Sequence, residues 1–155
     1  MSKRERDELG LASWSMFLRT HAAAVARLER ELLDERRLPL AWYDVLLELN
    51  TAPDRRLRMQ QLGNQVVLSR SRVSRIVDET TAAGLTRREP DPDDGRGSYA
   101  VLTDAGRTEL RAAAPVYLRG IKQHFTDRLD DGQLRAMHSA LSAVLDAATT
   151  RVVNS

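Results

Sequence analysis

Ser69-Arg70-Ser71-Arg72-Val73-Ser74-Arg75-Ile76-Val77-Asp78-Glu79-Thr80-Thr81-Ala82-Ala83-Gly84 is the stretch on which the fold turns. Ser69 is a good N-cap type and Gly84 a good left-handed C-terminal cap, so the residues between them are expected to be helical. Val73, Ile76 and Val77 give that helix an apolar side. Arg70, Ser71, Arg72, Ser74 and Arg75 occupy the other. So short a helix cannot bury this second face without stranding several charges, which leaves solvent or a polyanion as its partner. An arginine-rich face is most often just a solvated one, so the flanking sequence has to decide.

Downstream, Leu85-Thr-Arg-Arg-Glu89 and Ser98-Tyr-Ala-Val-Leu102 read as short strands around Pro90-Asp-Pro-Asp-Asp-Gly-Arg-Gly97, whose Pro, Gly and Asp content marks a turn. The result is a β-hairpin with Arg96 at an exposed tip. Upstream, Met59 to Gln65 forms a short helix with Met59, Leu62 and Val66 facing inward. A short helix, a tight turn and a second helix with a polar, arginine-rich first half form the helix-turn-helix pattern. Arg and Ser side chains suit base edges and phosphates in the major groove, and an arginine on a hairpin tip suits the more negative minor groove.

Further out, Trp14, Phe17, Leu18, His21, Val25, Leu28 and Leu32 recur at helical spacing over roughly Leu9 to Arg36. Pro39 interrupts that helix. A second carries Trp42, Val45, Leu46 and Leu49 and ends at Asn50-Thr-Ala-Pro53-Asp54. After the hairpin, Thr103 caps a helix whose face comprises Leu110, Ala114, Tyr117, Leu118, Ile121 and Phe125. Pro115 is expected to kink or split it. Asp130-Asp131-Gly132 precedes a last helix striped by Leu134, Met137, His138, Leu141, Val144, Leu145 and Ala148. The fold class is therefore mainly α with a small β-hairpin wing, a winged helix-turn-helix between long N- and C-terminal helices. Those helices carry more apolar face than the small reader can cover, which points to a homodimer.

The 155 residues match a single domain with a real core, and 42% hydrophobic content argues against wholesale disorder. No apolar run nears the ~20 residues of a bilayer span. The charged N-terminus lacks the apolar core of a signal peptide, so no membrane association and a cytoplasmic location are expected. Absence of cysteine excludes disulfides, thiolate zinc sites and cysteine redox sensing. Lys occurs only at Lys3 and Lys122, so nearly all positive charge is arginine; a compositional bias of the genome is the competing explanation for that count.

Val73-Ser-Arg-Ile-Val-Asp78, Gly84-Leu-Thr-Arg-Arg88, Asp94-Gly-Arg96 and Leu102-Thr-Asp-Ala-Gly-Arg107 resemble consecutive landmarks of the MarR family of transcription regulators, with the long flanking helices matching in place and length. Thr80 stands where that family usually has an apolar residue, and Pro115 is unusual for it. The resemblance implies one MarR-like domain over 1–155. Residues 1–38 and 108–155 would form the helical dimerisation part and 39–107 the winged helix-turn-helix. It further implies that Ser69, Arg70, Ser71, Arg72, Ser74 and Arg75 lie in the major groove and Arg96 in the minor groove, with Asp94 orienting the wing through an arginine. Arg72 and Arg75 are the first choices for base contacts. Arg87, Arg88 and Arg96 would mainly supply phosphate and minor-groove affinity. The partners implied are double-stranded DNA, as a pseudo-palindromic operator, and a second copy of the chain. The implied activity is repression, with release by a small aromatic or lipophilic effector.

Trp14, Phe17, His21 and Trp42 are open to two readings, as the lining of an effector crevice or as ordinary packing. His124 and His138 lack the spacing of a tight metal motif. Asp91, Asp93, Asp94 and Asp104 read as turn caps rather than a cation loop. No nucleophile stands beside a base in a catalytic motif and no glycine loop cradles phosphate, so neither enzyme activity nor a cofactor is expected. Two rivals remain, a metal-responsive regulator built on the histidines and a winged module that binds protein.

Overall fold

The protein is described from a computed structural model, which gives residues 1–66 and 70–153, with side chains throughout except at 70, 95, 96 and 148–153. Its elements in order are α1 (Lys3–Arg36), α2 (Leu40–Thr51), β1 (Arg56–Arg58), α3 (Met59–Gln65), α4 (Arg70–Ala82), β2 (Thr86–Asp91), β3 (Asp94–Leu102), α5 (Asp104–His124) and α6 (Asp131–Val153). Contacts divide the chain into two compact units, 1–24 with 119–155, and 25–118.

The second unit holds the core. Leu28 and Leu32 of α1, Tyr43, Val45, Leu46 and Leu49 of α2, Leu62 of α3 and Val73, Ile76 and Val77 of α4 are all buried. α1 ends where Arg37 takes a left-handed conformation (φ 56°) and Pro39 forbids further helix. Pro39 has no side chain with which to cap α2. Glu29 of α1 does so instead, its Oε2 accepting the Leu40 N–H at 2.8 Å, where a negative charge also suits the helix dipole. Arg36 joins α1 to α5, its Nη2 donating to both oxygens of Glu109 at 3.1 Å.

α4 closes as its sequence predicts. Gly84 is left-handed (φ 76°), its N–H donates to the Thr81 carbonyl at 3.0 Å, and that of Leu85 reaches the Thr80 carbonyl at 2.9 Å, the paired bonds of a Schellman cap. Thr103 caps α5, its hydroxyl accepting the Gly106 N–H at 3.0 Å. A Cβ at Gly106 would collide with the Leu85 carbonyl, so only glycine lets α5 start this close to the α4–β2 connection.

The sheet is three-stranded and antiparallel in the order β1-β3-β2. β1 was not expected from sequence; its three residues pair with β3 as Arg56↔Val101, Leu57↔Ala100 and Arg58↔Tyr99. The hairpin loop is also much shorter than the sequence suggests. Pro90, Asp91 and residues 94–97 belong to strands, and only Pro92 and Asp93 separate β2 from β3. Pro90 is tolerated because β2 is an edge strand and its register shifts between Pro90 and Asp91. Arg96 accordingly lies on β3, short of the tip itself.

Two expectations for α5 need correction. Of the two outcomes expected at Pro115, a kink or a split, the split does not occur: α5 is one helix through it. Pro115 and Arg111, whose carbonyl loses its bond to the proline, are both exposed, so that carbonyl can turn to water. Its buried positions are Leu110, Ala113 and Val116, while Leu118 is 61% exposed. The face buried within the chain thus runs through Ala113 and Val116 and is turned from the one predicted. Met59 of α3, expected inside, is only partly covered.

In the first unit, Asp130 and Gln133 cap α6 reciprocally. Gln133 N–H donates to Asp130 Oδ1 at 2.8 Å, and Asp130 N–H to Gln133 Oε1 at 2.9 Å. Trp14, Phe17 and Leu18 of α1 and Leu141, Val144 and Leu145 of α6 are exposed in the single chain.

Candidate nucleic-acid interface

α4 presents two unlike faces. Val73, Ile76 and Val77 are 3% exposed or less, whereas Ser71, Arg72 and Arg75 are exposed and Ser74 is partly so. Ser69 lies outside the described residues, and the side chains of Arg70 and Arg96 are likewise not described. Arg75 Nε is 3.6 Å from Glu79 Oε1, a long surface pair of little energetic weight. The same Glu79 accepts the indole N–H of Trp42 at 3.1 Å, linking α2 to α4.

Behind this face, Thr80 is completely buried yet fully satisfied. Its hydroxyl lies 2.9 Å from the Ile76 carbonyl, 3.1 Å from that of Val77 and 2.8 Å from Thr86 Oγ1; Thr86 also meets Thr81 Oγ1 at 2.9 Å. A polar residue in place of an apolar one here is matched by a second threonine on β2, and the pair fastens α4 to the wing.

Arg88 performs a similar task at the surface. Its Nε donates to Asp78 Oδ1 at 2.9 Å, Nη1 to Ser98 Oγ at 3.2 Å, and Nη2 to Ser74 Oγ at 3.1 Å and the Ser74 carbonyl at 3.3 Å. One guanidinium therefore spans α4, β2 and β3. Neighbouring Arg87 points to the other side of the strand and pairs with Glu89 Oε1 at 2.6 Å.

The wing contains an ion-pair network not foreseen from sequence. Arg58 of β1 approaches Asp91 Oδ2 of β2 at 2.8 Å and donates to the Tyr99 hydroxyl of β3 at 3.0 Å. Asp91 is 4% exposed. Tyr99 and Asp91 hold the Arg58 guanidinium above its ordinary pKa, chiefly through the tyrosine hydrogen bond. Asp91 Oδ1 also accepts the Asp93 N–H at 3.0 Å, a turn-capping role that its sequence context suggested. A polar cleft between the start of α3, α4 and the wing is lined by Arg58, Gln60, Ser74, Arg88, Asp91 and Asp94, among others.

The effector candidates fall in different units. Trp14, Phe17 and His21 form a stacked row on α1, with ring centroids 5.9 Å and 6.4 Å apart. Trp42 is in the reader unit, beside Tyr43, whose ring lies 4.4 Å from that of Tyr117. Burial pushes the Tyr43 hydroxyl up to about 12; burial, Glu48 and Glu29 push Asp44 up to about 6. Among the described residues no group of three or more His, Cys, Asp or Glu is placed to hold a metal ion. No helix among them is long and apolar enough to cross a membrane.

A helix-turn-helix with its second helix turned outward, backed by a three-stranded wing, defines a winged helix-turn-helix protein. A model of the MarR family matches residues 38–97. The structure is similar to that of Sco3205, a MarR family transcriptional regulator from Streptomyces coelicolor solved in complex with DNA, at 31% identity and a TM-score of 0.82, covering 88% of this chain and 86% of that one. It is also similar to AbsC, a MarR family transcriptional regulator from the same organism, at 27% identity and a TM-score of 0.81, covering 97% of each chain. Over 76 residues the chain is 33% identical to the uncharacterized HTH-type transcriptional regulator YkoM of Bacillus subtilis (strain 168); that match spans 49% of either chain, about half the length of the relative. The protein belongs to the MarR family of transcriptional regulators.

Proposed function

We propose that this protein is a cytoplasmic repressor that reads a pseudo-palindromic DNA operator as a homodimer. The observation that carries this proposal is the outward face of α4, where Ser71, Arg72 and Arg75 are exposed while Val73, Ile76 and Val77 are buried on the opposite side. In this reading residues Ser69 to Arg75 enter the major groove, with Arg72 and Arg75 at the base edges. Arg87, Arg88 and Arg96 supply phosphate and minor-groove affinity, and Asp94 helps to orient the wing. The exposed apolar residues of α1 and α6 support a twofold dimer, since a second copy of the chain would cover them. Two readers related by twofold symmetry call for half-sites about one helical turn apart, ~10 base pairs. Repression by occlusion of the operator is the proposed consequence of that binding.

A small aromatic or lipophilic effector is the proposed release signal. The stacked row of Trp14, Phe17 and His21 offers aromatic partners, and the bond from Trp42 to Glu79 gives α2 a direct hold on α4.

The deciding experiment is binding to genomic fragments from around the protein's own gene across a salt series. A sharp preference for one fragment, with affinity falling steeply as salt rises, is expected. Uniform weak binding to every fragment would count against an operator in that region and favour a winged module used for protein contacts. Equilibrium dialysis with phenolic compounds tests the effector; ligand binding that never competes with DNA would remove it.

A further inference from the structure

We propose that Arg58 and Asp91 form a brace that fixes the direction in which the wing presents Arg96, making Arg58 a positioning residue for minor-groove contact. This rests on the DNA-reading function proposed above. Arg58 lies on one outer strand of the sheet and Asp91 on the other, with β3 between them. To reach Asp91 the guanidinium crosses over Tyr99, its registered neighbour, with its Cζ 5.6 Å from the ring centroid. It meets Asp91 through one hydrogen bond, Nη2 to Oδ1 at 3.4 Å, and a close charge contact of Nε with Oδ2 at 2.8 Å, and lies 3.7 Å from Asp93 in the turn. Arg56 approaches the same ring with its Cζ 5.0 Å from the centroid.

The brace acts where the strand ladder weakens. The β2–β3 register shifts between Pro90 and Asp91, and only the pairing Asp91↔Asp94 follows before the turn. Pro90 has no N–H to contribute. Beyond the shift, orientation of the tip has to come from side chains, and Asp91 supplies it by holding both Arg58 and the Asp93 N–H. β3 is shaped to admit this carboxylate: a Cβ at Gly97 would lie 3.2 Å from Asp91 Cβ and 3.1 Å from Asp94 Oδ2. Arg96 immediately precedes that glycine. A hairpin held in one direction before DNA arrives loses less freedom on binding, and that difference would appear as affinity.

The test is the full-length double variant Arg58→Met/Asp91→Asn, which removes both charges together, so net charge is unchanged and no buried carboxylate is left unpaired. Operator affinity should fall about tenfold. Methylation protection of guanines in the half-sites should persist, while hydroxyl-radical protection of the flanking minor groove is lost. In an Arg96→Ala background the double variant should cause no further loss. Losses that add to that of Arg96→Ala, or an unaltered footprint, would overturn the brace; additivity would mean that Arg58 touches phosphate itself or merely stabilises the fold. If thermal melting shows the double variant unfolded, Arg58→Lys carries the test on the same terms, since one ammonium cannot span Asp91 and Tyr99 together. A wild-type protein that prefers no DNA sequence would overturn the operator-reading proposal and take this inference with it.

Discussion

The indole nitrogen of Trp42 donates to the Glu79 carboxylate 3.1 Å away, and the other oxygen of that carboxylate faces Arg75 at 3.6 Å. A residue of α2 and a candidate base contact on α4 thus share one acidic side chain. Operator binding that draws Arg75 toward a base should alter the surroundings of Trp42. In a Trp14→Phe background, where Trp42 is the single tryptophan, its fluorescence is expected to shift when operator is titrated in. Glu79→Gln should blunt that shift. An operator-saturated sample with an unchanged Trp42 spectrum would refute the coupling.

Arg72 and Arg96 should fail in different ways. Arg72→Ala is expected to relax preference at a particular base pair, by roughly 1–3 kcal/mol, whereas Arg96→Ala should weaken all sequences similarly. Competition binding against a set of single-base operator variants measures both. A sequence-independent loss from Arg72→Ala would remove it from the base contacts.

The buried threonines make a prediction about stability. Thr80→Val keeps the volume but removes a hydroxyl that meets Thr86 at 2.8 Å, and should cost about 1 kcal/mol. Thr80→Val/Thr86→Val removes both partners and should be less harmful than the sum of the single changes. Urea unfolding with an unchanged slope is the measurement; simple additivity would show that the two hydroxyls do not support one another.

Asp44 predicts a pH dependence with a definite sign. The fold holds this carboxyl protonated to about pH 6, while an unfolded chain releases it near ~3.9. Between those values the native state binds more protons, so the contribution of Asp44 falls as pH rises through the window and levels off above it. Asp44→Asn, neutral throughout, should match the wild type near the acid end of the window. It should become progressively more stable than the wild type as pH rises, with a plateau above about pH 7. A stability difference that does not vary with pH would contradict the assignment.

Helices α2, α3 and α4 could be read from sequence because their signals are local. The apolar spacing of Val45, Leu46 and Leu49, the run from Met59 to Gln65, and Gly84 after the last turn of α4 act within a few residues of where they are seen. The polar face of α4 is equally local, so the interface candidates Ser71, Arg72 and Arg75 could be named before any fold was known.

What tertiary structure decided are the pairings between distant positions. Three residues are too few to show a strand period, so β1 exists only because β3 lies beside it. Arg58 and Asp91 are separated by 33 positions, and no local pattern joins them. The packed face of α5 depends on which neighbour accepts Ala113 and Val116, and Thr80 is tolerable inside only because Thr86 arrives opposite it. Backbone conformation is governed by near neighbours and is written into short stretches of sequence; the satisfaction of a buried charge or hydroxyl depends on which distant group the fold brings within 3 Å.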